Sequence, residues 1–152
     1  MNISLSDLKK LREETQAGVS DCRQALEDAG GDFTKAKKLL TERGLEKAAQ
    51  KEGKETSQGI IDSYIHAGGK VGVLVELRCE TDFVARTDEF QHLAHEICLQ
   101  VAAMSPKDVK ALLKSEYIRD PSQTVNDLVK GTIAKVGENI TIARFVRMKL
   151  GE

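Results

Sequence analysis

The first 45 residues contain three stretches in which hydrophobic positions recur at helical spacing. The three sets of positions are Leu5, Leu8 and Leu11, then Val19, Cys22, Ala25, Leu26 and Ala29, then Phe33, Ala36, Leu39 and Leu40. Each set lies on one face of a helix. We expect the helices to end near Gln16, at Gly30 and at Gly44, with Asp32 capping the third. Helices this short are unstable alone, so the pattern predicts a three-helix bundle over residues 1–45.

The hydrophobic pattern changes after this bundle. Residues 46–58 have no apolar side chain larger than alanine, which predicts a linker that is helical at its start. From Val71 to Cys79 the odd positions are apolar and the pattern alternates, as is typical of a half-buried strand. The apolar segment 60–65 and the turn at Gly68 complete a predicted hairpin.

The rest of the chain indicates helices followed by a last strand. One helical face consists of Phe90, Leu93, Ala94, Ile97 and Val101, with Thr87 placed as its cap. A short helix over 106–114 and a helix from Val125 to Gly137 are predicted next. The last strand has Ile140, Ile142, Val146, Met148 and Leu150 on one face, which leaves Phe145 in the polar register. The pattern predicts an α+β core over residues 59–152, with an antiparallel sheet of about three strands packed with helices.

Composition and charge narrow the classes of function. The 152 residues include 23 basic and 24 acidic side chains, a balance that argues against a dedicated nucleic-acid binder. No apolar run approaches the roughly 20 residues needed to span a bilayer, and the start of the chain has no signal-peptide pattern. Three cysteines at unrelated spacings are typical of a reduced protein. We therefore expect a cytoplasmic protein without a membrane partner.

Candidate sites for enzyme chemistry are few. Phosphate-binding glycine loops, His-Glu-x-x-His and Cys-x-x-Cys are absent from the sequence, so we expect no covalent catalysis and no cofactor. The best metal candidate is the set His92, His95 and Cys98, three apart on one helix and suited to zinc. We favour the simpler interpretation that these residues border a buried face. Cys22 and Cys79 are expected to be small core residues.

The segment Cys79–Arg86 joins the predicted strand to the capped helix that follows. Phe83 and Val84 are the large apolar residues there, among polar neighbours. A phenylalanine in such a connection usually folds back onto its own core, and physics alone favours that interpretation. The alternative is an apolar wedge presented to a partner's pocket.

Three motifs resemble those of the elongation factor Ts family and occur in the family's order. Residues Glu80–Arg86, with the sequence Glu-Thr-Asp-Phe-Val-Ala-Arg, resemble its signature. Leu11–Gly18 with Asp21–Leu26 is similar to the N-terminal signature, and Ala134–Ile140 is similar to a later Lys-Ile-Gly-Glu-Asn-Ile stretch. The resemblance covers about residues 3–149. It implies a guanine nucleotide exchange factor for elongation factor Tu, with an N-terminal bundle like a ubiquitin-associated domain.

The resemblance also implies roles for particular residues. Phe83 would reach the nucleotide-binding domain of elongation factor Tu and disturb Mg²⁺ coordination, with Thr81, Asp82 and Val84 around it, until GTP displaces the factor. Arg12, Val19 and Ser20 fall where the bundle of family members docks onto the same domain. A pair of bulky residues such as methionines is common where Val19 and Ser20 stand here. We therefore expect a smaller contact, with Ser20 free to serve as a helix cap.

The length of the chain bears on its oligomeric state. Long family members have a duplicated core half and a coiled-coil insertion, for which this chain has no room, whereas the short members that it resembles dimerise. We expect a homodimer, since the strands near residues 71–79 and 140–150 could leave an edge or face to cover.

Two rival functions remain to be considered. One rival function is that of a protein-binding adaptor whose bundle captures another partner, such as a ubiquitin-like domain. The other is a small zinc enzyme built on His92, His95 and Cys98.

Overall fold

Three helices form the N-terminal part of the computed structural model, which describes residues 3–152. They are α1 (Leu5–Thr15), α2 (Val19–Asp28) and α3 (Phe33–Lys51). The Asp32 side chain caps α3 by accepting a hydrogen bond from the backbone N–H of Lys35, as the sequence predicts. The inward faces of the three helices share a small hydrophobic core. Residues 1 and 2 of the predicted 1–45 segment lie outside the described residues.

A three-stranded antiparallel sheet and four helices follow. The strands β1 (Gln58–Ile65), β2 (Val71–Cys79) and β5 (Ile140–Lys149) lie in the order β1-β2-β5. The helices are α4 (Asp82–Ala85), α5 (Asp88–Met104), α6 (Val109–Lys114) and α7 (Val125–Val136). Central β2 and the buried face of α5 supply most of the second core. The fold is therefore α+β, with helices at the N-terminus and a small antiparallel sheet packed with helices, as predicted. No helix among residues 3–152 is both long enough and apolar enough to cross a membrane.

Helix α3 is longer than the sequence predicted. It does not stop at Gly44 but continues to Lys51, so that residues 52–57 separate it from β1. A Cβ placed on Gly44 would lie 3.5 Å from the Cβ of Ala134 in α7, an ordinary van der Waals distance, so α3 packs on α7 at this position. Ala48, one turn further on, is buried in the second core. Packing of α3 on α7 thus outweighs the low helix preference of one glycine.

A second, two-stranded sheet was not predicted. It consists of β3 (Glu116–Tyr117) and β4 (Asp120–Thr124), where the sequence indicated only a break in the pattern. Two buried polar side chains of α5 hold this hairpin. The Gln100 amide donates to a hairpin carbonyl at 2.8 Å and accepts from a hairpin N–H at 3.0 Å. The carboxylate of Glu96 accepts a hydrogen bond from the Tyr117 hydroxyl.

Strand β5 contains a bulge that the hydrophobic pattern did not show. Leu77 pairs with Ile142 but Glu76 pairs with Arg144, so Ala143 is the extra residue on β5. Inserting one residue between paired positions moves every later side chain to the opposite face.

The bulge makes two predictions about β5 wrong. Ile142 faces the core as expected, but Phe145 packs against the core too, although the pattern had placed it in the polar register. Val146 and Met148 are exposed instead of sharing the face of Ile142. The outer face of the sheet is therefore more apolar than the sequence indicated.

All three cysteines are buried free thiols. Cys22 lies in the N-terminal core, and Cys79 and Cys98 lie in the second core, which confirms the expectation for Cys22 and Cys79. Burial raises the pKa of Cys79 to about 11, because desolvation disfavours the thiolate. The same cause raises the pKa of Cys98 to about 12. Neither thiol is prepared for nucleophilic chemistry near neutral pH.

The backbone at Gly59 gives the first testable prediction. Its φ is 151°, and a Cβ there would lie 2.0 Å from the carbonyl oxygen of Leu77. Gly59→Ala should therefore lower the free energy of unfolding by about 3 kcal/mol, measured by urea denaturation. As a control, Gly131→Ala in α7 adds a methyl group in open space and should raise it by about 0.5–1 kcal/mol. Equal stability of Gly59→Ala and the wild type would contradict the β1–β2 geometry.

The raised thiol pKa values give a second prediction. At pH 8 a thiol with a pKa of about 11 is about one-thousandth ionised, against about a tenth at the ordinary value of 9.0. Iodoacetamide should therefore leave Cys79 and Cys98 unmodified in the native protein under conditions that alkylate both in urea. Because ionisation rises tenfold per pH unit below the pKa, slow native labelling should accelerate up to pH 11 or beyond. Rapid labelling at pH 8, detected by mass spectrometry, would show that the two thiols are accessible.

Candidate functional site

The segment with the Glu-Thr-Asp-Phe-Val-Ala-Arg motif lies where β2 ends and the chain turns toward α5. Its centre is α4, a single helical turn. The Thr81 hydroxyl caps this turn by accepting a hydrogen bond from the Val84 N–H at 3.3 Å. Asp82 lies in the first turn, where a negative charge suits the helix dipole. Thr87 then caps α5, as predicted, so the chain passes directly from one helix to the next.

Phe83 projects into solvent although the next two residues are buried. The exposed fraction is 83% for Phe83, 5% for Val84 and 1% for Ala85. Successive residues of a helix are about 100° apart, so two consecutive inward side chains direct the preceding one outward. Val84 and Ala85 belong to the second core and anchor the turn. The interpretation that Phe83 folds back onto its own core is therefore wrong.

The other predicted residues of this segment differ in what they offer a partner. Thr81 and Asp82 are exposed beside Phe83, whereas Val84 is buried beneath it. Asp82 pairs with Arg86 at 2.8 Å, but both side chains are more than half exposed, so the pair contributes little stability. The turn thus presents one aromatic ring, framed by polar groups. Burying such a ring in a partner would contribute about 1.5–3 kcal/mol.

Two carboxylates connect this turn to the segment before β5. Thr81 donates from its N–H to Glu138 Oε1 at 2.9 Å and from its hydroxyl to Glu138 Oε2 at 2.7 Å. In the opposite direction, the Asn139 N–H donates to Glu80 Oε2 at 2.7 Å. The sequence analysis noted the Gly-Glu-Asn motif but gave Glu138 and Asn139 no role. Only the register of β2 with β5, which the sequence does not reveal, brings the two segments together.

The predicted docking residues lie on the N-terminal helices, away from this turn in sequence. Arg12 on α1 and Val19 and Ser20 on α2 are all exposed. The expectation that Ser20 caps a helix is wrong, because α2 begins at Val19 and its cap position is Gly18. The main contacts of α4 are with β1, β2 and α5, whereas α1 and α2 contact each other and α3. The two predicted sets of partner-binding residues therefore belong to separate parts of the surface.

The structure does not assemble the candidate zinc site. Within residues 3–152, no group of three or more His, Cys, Asp or Glu side chains could hold a metal ion. His92 and His95 are exposed, and the His95 ring lies edge-on to Tyr64 with centroids 6.3 Å apart. Cys98 faces the core, where its raised pKa opposes the thiolate that zinc requires.

A groove of about 960 Å³ is lined by residues of the N-terminal helices, the α1–α2 connection, β4 and α7. Four of the charged side chains on its walls form two ion pairs. Lys37 contacts Glu14 at 3.0 Å, and Lys47 contacts Asp21 at 2.9 Å. Such pairing suits a solvated groove better than a site for a charged ligand.

Comparison with known proteins identifies the family to which this chain belongs. A family model described as Elongation factor TS matches residues 80–152, which include α4 and β5. The elongation factor Ts of Coprothermobacter proteolyticus is 44% identical, with both chains covered completely. That of Thermoanaerobacter sp. is 43% identical, covering 99% of this chain and 96% of the relative. That of Fervidobacterium nodosum is 41% identical, with complete coverage of both. The chain belongs to the elongation factor Ts family.

Proposed function

We propose that this chain is a guanine nucleotide exchange factor that binds elongation factor Tu–GDP in the cytoplasm and promotes release of GDP. Membership of a translation elongation factor family supports the proposal. The observation that carries it is the exposure of Phe83 on a turn whose next two residues are buried. A protein gains nothing in its own stability from an aromatic ring held in water, whereas a ring on an anchored turn suits insertion into a partner.

Exchange in this proposal needs no covalent step. A GTPase holds GDP largely through its phosphates and a Mg²⁺ ion that demands near-ideal octahedral geometry. Phe83 enters beside the nucleotide site, and a shift of the supporting loops by about an ångström weakens that coordination steeply. Thr81 and Asp82 flank the ring, and Val84 supports it from the core. Because coupling is reciprocal, GTP binding weakens the hold of the factor and releases it.

The N-terminal helices have a different role in this proposal. Arg12, Val19 and Ser20 dock onto the same nucleotide-binding domain and supply affinity rather than displacement of Mg²⁺. Val19 is a partly exposed apolar side chain and Ser20 is small, so the contact is modest. The bundle serves as a docking module over residues 1–45 and residues 59–152 as the exchange and dimerisation domain, joined by the 46–58 segment. The structure extends α3 into that segment, which favours a stiff connection.

We propose in addition that the protein is a homodimer joined through the outer face of the sheet. Exposed apolar side chains occupy this face on all three strands: Ile61, Ile65, Leu74, Val146 and Met148. Leu74 and Val146 are direct cross-strand partners, so the apolar positions are contiguous. A self-complementary contact through a two-fold axis would cover the face in both copies. The burial of Cys79 and Cys98 favours a dimer without an intersubunit disulfide.

The role of Phe83 can be tested by Phe83→Ala. Loss of about 1.5–3 kcal/mol of insertion free energy should slow factor-stimulated GDP release about 10- to 150-fold, measured with fluorescent GDP by stopped flow. The melting temperature should stay unchanged, because the ring contributes little to the core. As a control, Met104→Ala removes another exposed apolar side chain, at the end of α5. This variant should stimulate GDP release at the wild-type rate.

Release at the wild-type rate by Phe83→Ala would contradict the proposed role of this ring. The adaptor alternative makes a different prediction. It expects that the wild-type protein itself leaves GDP release from elongation factor Tu unchanged, whatever residue stands at position 83.

The proposed dimer can be tested by Val146→Glu. A buried charge at the centre of the contact should shift the protein from dimer to monomer at micromolar concentration, measured by sedimentation equilibrium. Met104→Glu places the same charge outside the sheet and should leave the dimer intact. A monomeric wild-type protein at that concentration would rule out the proposed assembly.

A further inference from the structure

The last backbone pair between β2 and β5 is Cys79 with Ile140. Continuing the same antiparallel register places Glu80 opposite Asn139 and Thr81 opposite Glu138. At both positions a backbone N–H donates to the side-chain carboxylate of the residue opposite, Thr81 to Glu138 and Asn139 to Glu80. The two chain segments therefore stay connected at the point where they separate, one into α4 and the other back to the end of α7.

The Thr81 hydroxyl links this connection to α4. Its one proton is donated to Glu138 Oε2 at 2.7 Å, and the same oxygen accepts the Val84 N–H at 3.3 Å. Because Glu138 fixes the direction of the hydroxyl proton, it leaves a lone pair facing the helix. The cap of α4 thus depends on a carboxylate 57 residues away in the sequence.

We propose that Glu138 is the positioning residue for Phe83, holding α4 in the one orientation that presents the ring to a partner. This inference rests on the proposed exchange function. A turn of four residues is too short to be stable alone and needs external hydrogen bonds. Glu138 supplies two bonds to an ionised acceptor, which are stronger than bonds between neutral groups. Asn139 also donates from its side chain to the Lys54 carbonyl at 2.8 Å, which ties the segment after α3 to the same junction.

Glu138 should therefore affect the rate of nucleotide exchange by controlling the orientation of α4. If α4 samples other orientations, only the fraction with the ring correctly placed is competent, and the exchange activity falls by that fraction. Glu138 itself does not need to contact the partner. Its effect should therefore disappear when the ring is removed, whereas an effect through overall stability or through direct contact should persist.

A double-mutant cycle of Glu138→Ala and Phe83→Ala tests this inference. Glu138→Ala alone should lower the GDP release rate at saturating factor about fivefold to tenfold. In the Phe83→Ala background the same change should alter the rate less than about twofold. Glu138→Gln keeps one acceptor oxygen and should give an intermediate rate. The exposed Glu116 makes no side-chain hydrogen bond or ion pair within residues 3–152, so Glu116→Ala serves as the control with a wild-type rate.

The melting temperatures of all variants distinguish a loss of rate caused by misorientation of α4 from one caused by unfolding. Rates are compared well below the lowest melting temperature. A wild-type rate for Glu138→Ala, or equal losses in both backgrounds, would overturn the role of Glu138 while leaving the proposed exchange function intact. A wild-type rate for Phe83→Ala would overturn both. Lower backbone order parameters for residues 82–85 in Glu138→Ala would support the inference independently, and unchanged values would contradict it.

Discussion

The pairing of β2 with β5 is the constraint on which the rest of the site depends. β2 is the central strand, so its position is fixed by hydrogen bonds on both sides and by a buried face. The ends of this strand pair then determine where α4 begins and where the Gly-Glu-Asn segment returns. Phe83 is exposed because Val84 and Ala85 are drawn into the core beneath the sheet. A strand register set by the core thus determines which side chain faces solvent.

Much of the fold could be predicted because its signals are local. Periodicity identified the helices, and the alternating pattern of residues 71–79 identified β2 as a strand, although not its central place in the sheet. Caps were also readable, since Asp32 and Thr87 each stand immediately before a helix and accept a backbone N–H. These features depend on residues within a few positions of one another. The same holds for the turn at Gly68, which needs a residue that tolerates positive φ.

The features that could not be predicted depend on contacts distant in sequence. α3 passes through Gly44 because α7 packs there, and the hairpin β3–β4 exists because buried polar groups of α5 bind its backbone. The bulge at Ala143 appears only in the pairing with β2 and reverses every later side chain. Physics of the isolated segment favoured the wrong position for Phe83. The role of Glu138 could not be found either, because nothing local relates it to Thr81.

In the proposed exchange function, the N-terminal helices dock onto the partner and Phe83 disturbs its Mg²⁺ coordination. This division of roles has a thermodynamic consequence. In that proposal, free energy gained at the N-terminal helices would hold the complex whether or not nucleotide is bound, so it would raise affinity without promoting exchange. Only free energy that is realised when nucleotide is absent weakens GDP binding. The anchored turn suits this second role because the entropic cost of ordering it is offset during folding, by contacts of Val84 and Ala85 and by the carboxylate of Glu138. That cost is then not charged against the free energy of binding a partner. A flexible phenylalanine of equal apolar area would lose part of its insertion free energy to ordering. In the proposed exchange, rigidity at α4 as well as the size of the ring would therefore limit how far nucleotide affinity is lowered.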